Sequence, residues 1–296
     1  MSFSSKVKRE LSRMEAISPC CLHAQIYGML LFGRAFSANG ISLSTENEAV
    51  VKIYIDGIYK LTGIKPKMLN KGGRKTTVGV IAKNDCITIL EKFSHSKKEL
   101  TLRINRANLA DECCLAAFLR GVFLSCGIIT TPEKNYHLEF VVSRTKLCND
   151  FMKFMQEFNL NPKHTKRKNS NVLYFKDSTS IEDVLTVMGA MNSSLELMGI
   201  KIHKDMRNRV NRRVNFETAN ITRTVIAAST QVKAIESIIS KKGIDFLTPS
   251  LREVAVLRVE YPEATLRELG QMLSESVSRS GVNHRLNKII EIANNL

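Results

Sequence analysis

The 296-residue sequence predicts two parts. The first is an N-terminal α+β domain in which the order αββαββα occurs twice about a pseudo-twofold axis. The second is an all-α C-terminal domain of three short helices. Three observations carry this reading. The stretch Cys20-Cys21-Leu22-His23-Ala24-Gln25-Ile26-Tyr27-Gly28 matches Cys113-Cys114-Leu115-Ala116-Ala117-Phe118-Leu119-Arg120-Gly121 at five of nine positions, with a constant offset of 93. The elements expected after each copy repeat in the same order. From residue 248 onward the pattern becomes helical and carries no strand-like alternation.

Both copies of the repeated stretch are apolar nearly all round, as buried helices are. Each holds a glycine in mid-helix, Gly28 or Gly121. Such a glycine costs about 1 kcal/mol relative to alanine, so close approach of two helix backbones is the expected compensation. After Gly28 come strand-like stretches at 41–44 and 49–53, then a helix ending near Leu61-Thr62-Gly63. After Gly121 come strands at 128–131 and 136–142, then a helix over 146–157 with Phe151, Phe154, Met155 and Phe158. Each half then has a hairpin, turning at Asn70-Lys71-Gly72-Gly73 and at Lys168-Asn169-Ser170-Asn171, and a closing helix at 85–93 or 181–188. Two such units about a dyad imply one shared core.

This order, with glycine-bearing helices at the dyad, resembles the LAGLIDADG homing-endonuclease fold. Leu119 to Gly127 fits the nine-residue motif at its hydrophobic and glycine positions, and Ile26 to Arg34 fits more loosely. In that family an acid before the final motif position of each helix binds the metals that cut DNA. The corresponding residues here are Gly33 and Cys126, and no Asp or Glu occurs over 20–44 or 113–132. Two-metal hydrolysis needs hard oxygen ligands. The expectation is therefore a non-enzyme with no catalytic residue, no metal and no cofactor.

Length and composition fit this plan. The chain is long enough for two domains with real cores. Forty-four Lys and Arg against twenty-eight Asp and Glu leave +16, a surface that attracts polyanions, nucleic acid foremost. A ribosome-associated or merely basic protein would share that balance. None of the seven cysteines sits in a Cys-x-x-Cys pair, and they read as reduced core thiols. The first fifteen residues lack an apolar signal core, and no apolar run reaches membrane-span length. A cytoplasmic protein with no membrane partner is expected.

Both hairpins are basic. Lys60, Lys65, Lys67, Lys71, Arg74 and Lys75 surround the first, and Lys163, His164, Lys166, Arg167 and Lys168 crowd the second. Of these, Lys71, Arg74, Lys75, Lys166, Arg167 and Lys168 are the candidates for contacting the two phosphate backbones of a duplex. Exposed lysines that merely blunt edge pairing would look the same.

In the C-terminal part, Thr248-Pro249 starts a helix that ends before Pro262, and Thr265 caps the next. After a polar turn at 274–278, Val282, Leu286, Ile289, Ile290 and Ala293 form one stripe of a third helix. That is the helix-turn-helix plan. With the stripe inward, Ser280, His284, Asn287 and Lys288 point out, flanked by Arg279, Asn283 and Arg285. These seven are the candidate DNA-reading residues, with a solvated polar face as the alternative. From Gly243 onward there are six Lys and Arg against seven Asp and Glu, so residues 1–242 carry +17. Between the domains, Ile221, Val225, Ala228, Val232, Ile235 and Ile239 are spaced as a heptad seam, and docking of that seam within the chain is expected. The expected domains are 1–215, a helical connector over 216–242, and 243–296.

Taken together, residues 118–127, Tyr136-His137-Leu138-Glu139-Phe140, 207–220 and Ser280-Gly281-Val282-Asn283-His284-Arg285-Leu286 resemble the WhiA family, the sporulation and cell-division regulators of Gram-positive bacteria. The resemblance runs in order from about residue 4 to residue 292. It implies a DNA-binding transcriptional regulator acting in cell division and chromosome segregation. The implied partners are double-stranded DNA and other transcription or division regulators, the location is the nucleoid, and no small-molecule ligand is expected. It also implies that loss of the catalytic acids is normal. The alternative is a general nucleoid-associated protein with little sequence preference.

Overall fold

In a computed structural model, every residue is described except Met1, Glu15, Ile17, 71–74, Lys98 and Leu100. The elements are α1 (Phe3–Ser12), α2 (Pro19–Leu31), β1 (Ala35–Ser37), β2 (Gly40–Thr45), α3 (Glu48–Thr62), β3 (Lys67–Asn70), β4 (Thr76–Val80) and α4 (Lys83–Lys92). The second copy follows as α5 (Glu112–Cys126), β5 (Gly127–Ile129), β6 (Leu138–Val142), α6 (Thr145–Gln156), β7 (Lys163–Arg167), β8 (Ser170–Phe175) and α7 (Ser178–Met188). The chain ends with α8 (Met191–Lys242), α9 (Pro249–Glu260), α10 (Leu266–Met272) and α11 (Arg279–Asn294). It divides into two compact units, Met1–Lys204 and Asp205–Leu296.

The first unit is the expected duplication. Its two antiparallel sheets have the orders β1-β2-β4-β3 and β5-β6-β8-β7, the same topology twice. Between them α2 and α5 cross at their glycines. A Cβ on Gly28 would stand 2.6 Å from the Phe118 carbonyl oxygen, and one on Gly121 would stand 2.0 Å from that of Gln25. Only hydrogen fits at either point, so the helical cost of glycine is offset by backbone-to-backbone packing. The core gathers Tyr27, Phe118, Phe123, Phe140, Phe151 and Phe154 around this crossing.

Positions 27 and 120 are equivalent under the repeat, but Tyr27 bonds within its own half while Arg120 bonds both within its half and across the dyad. The Tyr27 hydroxyl accepts from the Asn105 amide at 2.8 Å and meets His95 Nε2 at 3.0 Å. Arg120, 7% exposed, donates from Nε to the Met188 carbonyl at 2.9 Å and from Nη1 to Gln25 Oε1 at 3.3 Å.

Four expectations need correction. Residues 49–53 are not a strand but lie in α3. Asn47 caps its start by accepting from the Ala49 amide at 3.0 Å, and Gly63 closes its end at φ 74°. The first strand of that half is β1 instead. Helix α1 was not foreseen; it buries Phe3, Val7 and Leu11, and its Glu10 carboxylate accepts from the Asn192 and Ser193 amides at 2.7 and 3.0 Å. A carboxylate there satisfies orphan donors of α8 and suits the positive end of its dipole. The cysteines are not all core thiols, since Cys113 is exposed and Cys20 and Cys126 are half-buried.

The fourth correction concerns the seam. In the second unit Ile235 and Ile238 of α8 pack with Leu247, Val254, Ala255, Leu269, Leu273, Val282, Leu286 and Ile289. Ile221 and Val225 stand 64% and 61% exposed, and Ile239 gives way to Ile238. A straight helix drifts against a strict 3.5-residue repeat, and only its last turns here meet the three-helix core. Residues 216–242 belong to the single continuous α8.

Candidate nucleic-acid interface

The second unit positions α11 through local bonds. Thr265 and Glu268 form a capping box on α10, with Thr265 N to Glu268 Oε2 at 2.7 Å and Glu268 N to Thr265 Oγ1 at 3.3 Å. The turn after α10 folds back on it, the Val277 amide donating to the Gly270 carbonyl at 3.0 Å. A Cβ on Gly270 would lie 2.2 Å from the Val277 oxygen, which explains a glycine inside so short a helix. The Glu253 carboxylate accepts from the Ser274 amide at 2.6 Å, a bond that holds its pKa below the usual carboxylate range. Ser278 then caps α11 by accepting from the Gly281 amide at 3.3 Å.

Arg258, 2% exposed, locks the other turn by donating from Nη1 to the carbonyls of Pro262 and Ala264 at 3.2 and 2.8 Å. Burial lowers the pKa of its guanidinium.

On this frame Val282, Leu286 and Ile289 of α11 face the core, while Arg279, Ser280, Asn283, His284, Asn287 and Lys288 are exposed. Arg285 differs. It is half-buried, with Nη1 3.5 Å from the Ser250 carbonyl at the start of α9. Lys288 lies 3.3 Å from Glu291. The six exposed side chains give a row of amide, imidazole, hydroxyl and cationic groups, the donors and acceptors that base edges and phosphates take.

A further basic surface was not among the sequence candidates. Arg207, Arg209, Arg212, Arg213 and Arg223 stand exposed on α8, and among the described residues only Arg213 has an acidic partner, Glu217 at 3.0 Å. Over Asp205–Leu296 there are fourteen Lys and Arg against ten Asp and Glu. This unit is therefore positive, although the stretch from Gly243 is not. The Arg- and Asn-dense run at 206–215 was the visible signal.

In the first unit the second hairpin is fully described. Lys163, His164, Lys166, Arg167 and Lys168 are exposed, and Lys168 turns the chain at φ 53°. Arg167 is held by Glu139, Nη2 to Oε2 at 3.2 Å, so part of its charge is already met. The turn of the first hairpin, with Lys71 and Arg74, lies outside the described residues. Lys75 is exposed and lines a cleft rather than a hairpin tip.

That cleft, about 880 Å³, opens where α2 and α5 end, at Gly33 and Cys126. Two cations from elsewhere reach those helix ends. Lys8 Nζ donates to the Leu124 carbonyl of α5 at 3.2 Å, and Arg144 Nη1 to the Leu31 carbonyl of α2 at 3.5 Å. Last-turn carbonyls carry the negative end of the helix dipole, so cations fit there. Burial pulls the Lys8 ammonium down to about 8 and pushes the Cys126 thiol up to about 12. Arg34 and Lys75 add two cations, and Glu46 is the one carboxylate on the described lining. A magnesium-type ion needs several oxygen anions and would meet four cations and a protonated thiol. The residues present do not fit the divalent metal of the nuclease fold.

Among the described residues no helix is long and apolar enough to cross a membrane. A model of the WhiA C-terminal HTH domain matches residues 210–293, and one of the WhiA LAGLIDADG-like domain matches residues 115–207. A probable cell division protein WhiA of Alkaliphilus metalliredigens is 36% identical over 99% of this chain and 98% of its own length. Its namesake from Alkaliphilus oremlandii is 39% identical over 100% of this chain and 98% of its own. The crystal structure of full-length WhiA from Thermatoga maritima matches with a TM-score of 0.60 at 24% identity, covering 100% of this chain and 99% of that one. It supports the fold.

Proposed function

The chain belongs to the WhiA family, and on that premise we propose that it is a DNA-binding transcriptional regulator acting in cell division. In this reading α11 enters the major groove of duplex DNA, where Arg279, Asn283, His284 and Asn287 read base edges and Ser280 and Lys288 hold the flanking backbone. Lys166 and Lys168 of the second hairpin, with Lys71, Arg74 and Lys75 of the first and the arginines of α8, contact phosphates. Arg285 and Arg167 contribute from partly engaged positions. The observation that carries the reading is α11 itself: a capped helix with its apolar stripe inward and six polar side chains exposed on the opposite side.

The protein works without catalysis, because Gly33 and Cys126 stand where the nuclease fold has acids and the cleft they line carries four cations. A role in chromosome segregation, residence in the cytoplasm on the nucleoid, and partnership with other transcription or division regulators belong to the same proposal.

The test uses the full chain and duplexes selected from a random-sequence pool. Asn283→Ala and Asn287→Ala should each lower affinity for the selected site by roughly 1–3 kcal/mol and leave random duplex nearly unchanged. Equal losses on both would remove the reading role of α11. A general nucleoid-binding protein is the second reading, favoured by the +17 carried by residues 1–242. A pool that yields no enriched sequence would select it.

A further inference from the structure

The two cysteine doublets, 93 residues apart in sequence, meet in space. Cys20 sits in the first turn of α2, and Cys113 and Cys114 in that of α5. Because these helices cross as a pseudo-symmetric pair, their first turns lie side by side. Cys20 Sγ and Cys113 Sγ are 3.9 Å apart. Cys20, Asp111, Cys113 and Cys114 each offer one ligand atom, and all four atoms lie within 4.8 Å of one another.

The spacing discriminates between chemistries. A tetrahedral zinc with Zn–S of about 2.3 Å sets its sulfurs roughly 3.8 Å apart. A disulfide needs about 2.05 Å. The Cys20–Cys113 distance matches a coordination edge as well as it does a contact of two reduced thiols, and it is far too long for a disulfide. The donor set selects a soft or borderline ion: three sulfurs and one oxygen suit zinc and repel magnesium or calcium.

Asp111 supplies a second observation. It occupies the N-cap position of α5, where a carboxylate normally accepts from the helix, yet its side chain makes no capping bond. It is exposed and turned to the thiol group instead. Ser18 Oγ, 2.9 Å from Cys20 Sγ, gives that ligand an outer contact. The four donors gather at the N-termini of two helices, whose dipoles offset part of the negative charge that the thiolates carry once an ion binds. Cys113 and Asp111 are exposed while Cys114 is buried, so an ion can enter from solvent and be held from within.

We propose that the chain binds one zinc ion through Cys20, Asp111, Cys113 and Cys114, and that the ion clamps the starts of its two central helices. With four protein ligands the site is closed, hence structural and not catalytic. It lies about a helix length, roughly 20 Å, from the cleft at Gly33 and Cys126.

The test uses reduced, chelator-treated full-length protein, with cobalt(II) as the optical probe. The expected result is one cobalt per chain, with a thiolate-to-cobalt charge-transfer band and the strong visible bands of tetrahedral cobalt, both erased by one equivalent of zinc. Cys113→Ser, at an exposed position, should keep the wild-type circular dichroism and lose stoichiometric uptake. Zinc should raise the thermal midpoint of the wild type and leave that of Cys113→Ser unmoved. Failure of the reduced wild type to take up cobalt or zinc at one per chain overturns the site. So does a weak octahedral cobalt spectrum, and so does Cys113→Ser binding as the wild type does.

Discussion

Replacing Gly121 with alanine adds one methyl group at the tightest point of the helix crossing. The new Cβ would lie 2.0 Å from the Gln25 carbonyl oxygen, 2.9 Å from its carbon and 3.2 Å from its Cα. Ordinary contact begins near 3.4 Å, so the helices must separate by about 1.4 Å. All three neighbours are backbone, and no rotamer change relieves them. The surrounding Phe118, Leu119 and Val122 are fully buried, so separation opens the core around them. Overpacking a well-filled core costs about 1–3 kcal/mol and sometimes more, against about 1 kcal/mol gained from helix propensity. Backbone neighbours that cannot give put the cost at the upper end of that range, so a net loss of about 1–2 kcal/mol is expected, which for a unit of this size lowers the midpoint by roughly 2–8 °C.

Gly199→Ala is the matched control, in α8 of the same unit with nothing within 4 Å of the added atom. It should be stabilising by up to about 1 kcal/mol. Scanning calorimetry of the full chain separates the two cases. If Gly121→Ala unfolds at or above the wild-type temperature, the backbone-contact account of the central glycines is wrong.

Three further outcomes are expected. Lys166→Ala and Lys168→Ala should each weaken binding to every duplex alike and reduce the salt slope by about 1, read from binding isotherms at several salt concentrations. Arg258→Met should destabilise the three-helix module by about 1–3 kcal/mol, because the Pro262 and Ala264 carbonyls lose their buried donor; unchanged amide-exchange protection in α9 to α11 would contradict this. Lys8 has a folded-state pKa of about 8, below its ordinary 10.5, so between those values the unfolded chain binds more protons than the folded one. Wild-type stability should therefore rise relative to Lys8→Met from pH 8 to pH 10, and parallel stability curves would show that Lys8 is not desolvated.

What the sequence disclosed was what it stores locally. The Thr265 cap, the stripe through Val282, Leu286 and Ile289, and the Gly63 stop are each written within a few neighbouring residues. The 93-residue offset revealed the dyad because both copies kept their glycines. Short apolar runs were the weak point. Residues 49–53 carry three apolar β-branched side chains and read as a strand until the Asn47 cap is weighed. Helix α1 hides its three buried residues, Phe3, Val7 and Leu11, among charges. Nothing local brings Lys8 to the end of α5, Arg285 to Ser250, or Asp111 and Cys113 to Cys20. Those meetings are made by the crossing of whole helices.

Tyr27 and Arg120 occupy equivalent places yet bond with different chemistry, one a phenol against an amide and an imidazole, the other a buried guanidinium against a carbonyl of its own half and the Gln25 side chain of the other. A homodimer could not do this, since one gene would write both copies. Tandem fusion lifts that constraint, and each half is then free to drift under its own selection. On the proposed function, a duplex held by two such unequal halves is under no obligation to be a palindrome.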